Sequence, residues 1–200
     1  MSRFNYLIDK VCDASFVDDP FKHIYVEDFF HKEDFNDIVG SQEILIKPCA
    51  SDSELFDELF KSNYKVIRFP GCVTDYKKYI SLHSKGKPLK THTACESSGV
   101  VLRLSPTDDI LIQLDEFLMS ESFGRAIAQK FDIPFEKCIF DGGIQKYLDG
   151  YEISPHPDVR RKAMTFMVNI NPHPDSDSFD HHTRYLKLTQ DVFLRGEVLA

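Results

Sequence analysis

A histidine and an aspartate two residues apart, His156 and Asp158, are the pair in this chain with the most chemistry to offer. They lie in Ser154-Pro-His-Pro-Asp158, a proline-flanked segment between two stretches of strand-like sequence. In extended chain, residues two apart point the same way. An imidazole nitrogen and a carboxylate oxygen can therefore reach one metal ion together. One His, one Asp and a second His from elsewhere make the facial triad of non-haem iron, which leaves neighbouring positions open for a bidentate cosubstrate and for dioxygen. The triplet alone has a plainer reading, a surface turn with a capping aspartate.

The flanks add information. Upstream, Gln145-Lys-Tyr-Leu-Asp-Gly150 reads as a strand running into a glycine turn. Downstream, the basic run Arg160-Arg-Lys162 precedes the apolar strand-like stretch Ala163-Met-Thr-Phe-Met-Val-Asn-Ile170. In this order (strand with a Tyr, Gly turn, H-x-D, basic residue, apolar strand with a Thr) residues 143–172 resemble the prolyl-4-hydroxylase-like branch of the 2-oxoglutarate- and iron(II)-dependent oxygenases. Ile24-Tyr-Val-Glu-Asp-Phe-Phe30, followed by a helix, is similar to the N-terminal strand and helix of that branch.

The resemblance implies that His156 and Asp158 ligate iron and that the Tyr147 hydroxyl meets 2-oxoglutarate. It implies that Thr165 and Asn169, on one strand face with Ala163 and Met167, line the cosubstrate pocket, while Met164, Phe166, Val168 and Ile170 pack on the helices. The implied cofactors are Fe(II) and 2-oxoglutarate, with ascorbate as a supporting reductant. The implied reaction is hydroxylation of a small-molecule or peptide substrate. Beside these roles stand simpler ones: Tyr147 as a core tyrosine, and Thr165 as a residue favoured in any strand.

The family also needs a distal His on a later strand, then an Arg or Lys to pair with the far carboxylate of 2-oxoglutarate. Forty-two residues follow Asp158 in the given sequence. Several more strands of about five or six residues with their turns do not fit there. His173, His181 and His182 lie in a stretch rich in Asp, Ser and Pro that reads as loop. Two readings stay open. In the one the spacing favours, the chain as given stops before the distal ligand; in the other, His182 or His181 supplies it through an unusual topology. The first leaves a truncated or degenerate member that binds or interacts without turnover. Half a jelly roll exposes a sheet edge and an apolar face, so a homodimer or marginal stability is expected unless the helical half covers them. A metal-dependent hydrolase built on the same pair has less support, since no H-E-x-x-H or clustered carboxylates accompany it.

The elements that must position these residues follow from periodicity. A strand is expected at 21–26, helices at 32–39 and 53–60, and a strand at 65–69 ended by Pro70-Gly71. A short helix and a basic loop should fill 73–90, and a strand 100–104. The strongest helix is predicted from Ile110 to about Phe131, with Leu111, Leu114, Leu118, Phe123 and Ile127 as its apolar stripe. Strands are predicted at 138–140, 143–148, 162–170 and 185–188. Helices first and strands later is the α+β pattern. The expected architecture is one domain over 1–200: a mainly helical part over 1–134, then double-stranded β-helix (jelly-roll) strands over 135–200, complete only in part.

Composition sets the outer limits. The hydrophobic share of 42% supports a core, and 17 Phe against no Trp makes that core rich in phenylalanine. A net charge of -8 disfavours broad contact with a phosphate backbone, so nucleic acid is not an expected partner. No stretch is apolar enough for a membrane span, and the N-terminus lacks a signal-peptide core. Five widely spaced cysteines without C-x-x-C point to reduced, mostly buried thiols and a cytoplasmic location.

Overall fold

The strands expected near 65–69, 100–104 and 143–148 do pair with one another. The computed structural model describes residues 2–68, 73–85, 99–149, 151, 162–173 and 175–178. Its elements run α1 (Tyr6–Asp13), β1 (Phe16–Val17), β2 (His23–Ile24), α2 (Lys32–Gly40), α3 (Asp52–Lys61), β3 (Tyr64–Val66), α4 (Tyr76–His83), β4 (Val101–Leu104), α5 (Asp109–Leu118), α6 (Glu121–Lys130) and β5 (Gln145–Tyr147). Short 3₁₀ turns add Phe135–Lys137 and Ser176–Ser178.

β1 and β2 form a small antiparallel pair, and β3, β4 and β5 an antiparallel sheet in that order. The register sets Tyr64 opposite Leu104, Val66 opposite Leu102, and Leu102 opposite Lys146. Alternation then puts Tyr64, Leu102, Leu104, Ile144 and Leu148 on one face. All five are buried. They join Phe4, Leu7, Ile38, Phe56, Leu59, Leu111, Leu114 and Phe123 from the helices in one core. Each large side chain buried this way contributes about 1.5–3 kcal/mol relative to exposure.

Local chemistry starts the helices. The Ser51 hydroxyl accepts from Glu54 N at the head of α3, and the Glu54 carboxylate accepts from Ala50 N at 2.7 Å, close to a capping box. Asp75 caps α4, accepting from Lys77 N and Lys78 N, and Asp108 caps α5. Asn63, at φ 62, makes the tight turn from α3 to β3, a left-handed conformation asparagine tolerates. Glu43, buried in the loop after α2, accepts from Thr107 N, Thr107 Oγ1 and Asp108 N, so it holds the head of α5.

Several expectations change. The helix predicted across 110–131 is two helices, because Ser120 breaks it: its hydroxyl donates to Phe117 O at 2.6 Å and caps α6 by accepting from Phe123 N. α1 carries Leu7 and Val11 into the core, an amphipathic helix that polar residues around it concealed. Residues 138–140 form no strand; the Phe140 ring instead packs on Gly124, where a Cβ would lie 2.1 Å from its Cζ. Cys12, Cys49 and Cys138 are free thiols as expected, but Cys12 is exposed and the other two are half-buried. Among the described residues the class is α+β with two small antiparallel sheets, and a jelly roll is not shown. The strand expected at 185–188 lies outside the described residues. No helix among the described residues is long and apolar enough to cross a membrane.

Candidate active site

β5 is the strand that leads into the H-x-D segment, and its ladder extends beyond its ends. Leu104 N donates to Ile144 O at 2.9 Å and Leu148 N donates to Val100 O at 3.2 Å. The strand is thus fixed to β4 over both flanks. Pleating sends Lys146 to the core side and Gln145 and Tyr147 to the other face. Tyr147 is 48% exposed, so it is not the core tyrosine of the simpler reading. Its hydroxyl donates to Gln145 Oε1 at 2.7 Å, and its ring meets Tyr151 edge-on with centroids 4.6 Å apart.

The turn after β5 is held from three directions. Tyr79, buried on α4, donates its hydroxyl to Asp149 O at 2.7 Å. His83, one turn further along α4, sets Nε2 2.7 Å from Asp149 Oδ2 and Nδ1 2.7 Å from Asp52 Oδ2. The hydrogen bond to Asp149 raises the His83 pKa above its ordinary value of 6.5, with the one to Asp52 next, against a smaller opposing effect of burial. Gly99 lies so close to the turn that a Cβ there would stand 2.6 Å from Tyr151 N and Cα. Only glycine fits such an approach.

None of Tyr79, His83 or Gly99 was singled out from sequence. The available signals were weak: a Gly just before an apolar strand, and a His at the end of a short helix. Partners 66 and 70 residues away along the chain cannot be read from local pattern.

The stretch 162–170, expected as a strand, forms none among the described residues, and Phe166, expected on its packed face, is 40% exposed. Met164, Val168 and Ile170 pack against the core, and Phe166 meets Phe123 edge-on at 5.7 Å. Ala163, Thr165, Met167 and Asn169 are exposed. His156, Asp158, His181 and His182 lie outside the described residues. His173, which is described, is exposed in a turn: its Nδ1 accepts from Asp175 N at 3.1 Å. Among the described residues no group of three or more His, Cys, Asp or Glu side chains could hold a metal ion.

The opposite face of β5 looks into a different space. Lys146 lines an open cleft of about 470 Å³ with Ile46, Cys49, Ser51 and Leu55. Its Nζ donates to Ile44 O at 3.2 Å, and burial pushes its pKa down. The sheet itself separates this cleft from Tyr147.

No family model, curated protein or solved structure matches the chain.

Proposed function

We propose that the chain is a 2-oxoglutarate- and Fe(II)-dependent oxygenase that hydroxylates a small-molecule or peptide substrate. The observation that carries this reading is the ordered motif Tyr147-Leu-Asp-Gly-Tyr-Glu-Ile-Ser-Pro-His156-Pro-Asp158 at the end of a laddered strand. Its donor set fits ferrous iron, which takes imidazole and carboxylate together and keeps open positions. His156 and Asp158 would hold the metal, with His182 or His181 as the third protein ligand where one is supplied. Bound there, iron supplies activation of dioxygen coupled to decarboxylation of 2-oxoglutarate, with ascorbate keeping it reduced.

The chain's own residues do the rest. Tyr147 presents its hydroxyl on the sheet face away from the core, where it donates to Gln145 Oε1 and would turn to a 2-oxoglutarate oxygen when the cosubstrate binds. Thr165 and Asn169 line the same pocket from the exposed side of the following segment. Tyr79, His83 and Gly99 fix the turn that aims the ligand segment, and a fixed first shell raises metal affinity. A cytoplasmic location suits the free thiols and the iron chemistry.

The test is turnover. Purified protein with Fe(II), ascorbate and 2-oxoglutarate should form succinate, and His156→Ala and Asp158→Ala should abolish it. Succinate formation undiminished in both variants would remove the assignment. A second reading, a family member that binds without turnover, is favoured by the H-x-D motif supplying only two ligands. It predicts no succinate together with retained binding of a partner.

A further inference from the structure

The sheet face away from the core carries a row of hydrogen-bond donors. Lys65 stands opposite Arg103, and Arg103 opposite Gln145, across β3, β4 and β5. Directly opposed residues share a face, so the three side chains form one row. Tyr147, two residues beyond Gln145, shares that face. Its hydroxyl donates to Gln145 Oε1, which occupies the acceptor end of the amide and leaves the Nε2 hydrogens as the donors of that side chain. The row therefore offers an ammonium, a guanidinium and an amide N–H pair.

Like charges directly opposite each other in a sheet repel, and this pair is only partly offset. Arg103 Nη1 meets Asp141 Oδ1 at 3.2 Å, but Asp141 is 85% exposed. Asp115 on α5 also feels the Arg103 charge. Arg103 Nε is buried with no hydrogen-bond partner among the described residues. Gly143, at φ +130, lets the backbone come close beside the Arg103 stem, where a Cβ would lie 3.3 Å from Cδ. Lys65 is exposed. The like-charge pair and the unpaired Nε both break local rules, and such breaks concentrate at functional positions.

We propose that Lys65, Arg103 and Gln145 bind a carboxylate of the primary substrate, so that the enzyme acts on an acidic small molecule. Opposed cations on a fixed sheet form a carboxylate clamp, in which the anion relieves their repulsion. The inference rests on the oxygenase reading for its place beside Tyr147, but the row can be tested without turnover.

The test uses N-acetylglycine as the carboxylate probe and N-acetylglycinamide as its neutral twin, followed by NMR shifts of the full chain. N-acetylglycine should bind saturably and shift β3, β4 and β5 amides, and the neutral amide should not. Lys65→Met and Arg103→Gln should each weaken the acid by about fivefold or more, the loss of one charge-assisted contact. Lys65 is exposed, so its variant tests the row even where Arg103→Gln disturbs the fold. His156→Ala should bind the acid like the parent. Equal binding of acid and amide, or unchanged affinity in Lys65→Met, overturns the proposal. So does competitive displacement of N-acetylglycine by 2-oxoglutarate, which would make the row a cosubstrate site. If the row behaves as expected while no succinate forms, the oxygenase reading falls and an acid-binding site stands.

Discussion

His83 Nε2 lies 2.7 Å from Asp149 Oδ2, and this contact ties the end of α4 to the turn that leads into the H-x-D segment. The second ring nitrogen meets Asp52 at the head of α3. A neutral imidazole has one N–H, and only the imidazolium donates from both nitrogens. The double bridge between two carboxylates is therefore a bond of the protonated ring, which is why the His83 pKa is raised.

A pH dependence follows from that sign. The folded pKa lies above the ordinary 6.5. The stabilisation is therefore fully present below that ordinary value and is lost as pH rises through the raised one. His83→Gln should cost stability near pH 6 and little near pH 9, by about 1 kcal/mol or less because the pair is part-exposed and screened. Urea melts of parent and variant at both pH values measure the difference. An equal cost at both would show that the bridge is not linked to protonation.

Gly99→Ala should be costly for a reason local to the candidate site. The added methyl would stand 2.6 Å from Tyr151 N and Cα, and backbone cannot yield as a flexible side chain does. A cost of about 2 kcal/mol or more is expected, the upper range for overpacking. The turn would shift with it, so Fe(II) affinity should fall alongside the denaturation midpoint. A variant as stable as the parent would contradict the close packing.

How much of this was legible in the sequence depends on the range of each interaction. The caps Ser51 and Asp108 act within three residues, and the starts of the helices they open, read at 53 and 110, lie one residue from those observed. The core face of 162–170 was legible in part: Met164, Val168 and Ile170 pack on the core, but Phe166 between them is exposed. The break at Ser120 was not, because the apolar stripe runs on through Phe123 and Ile127 across it. The polar face of the sheet was hidden too. Lys65, Arg103 and Gln145 become neighbours only through strand register, which single-strand pattern does not contain.

Glu43 supplies a further stability test away from the site. Its buried carboxylate accepts from Thr107 N, Thr107 Oγ1 and Asp108 N at the start of α5, where negative charge also suits the helix dipole. Glu43→Gln would set an amide N–H against those donors and remove the charge. A loss of about 2–3 kcal/mol is expected from hydrogen bonds to an ionised acceptor, measured as a lower urea midpoint at unchanged slope. A loss within experimental error would mean that α5 is anchored by its apolar face alone.

The central claim is an iron site on His156 and Asp158, and anaerobic equilibrium dialysis against Fe(II) tests it most directly. The parent protein should retain about one Fe(II) per chain at a metal concentration where His156→Ala and Asp158→Ala each lose at least tenfold in affinity. Equal retention by all three proteins, or none by the parent, would contradict the account.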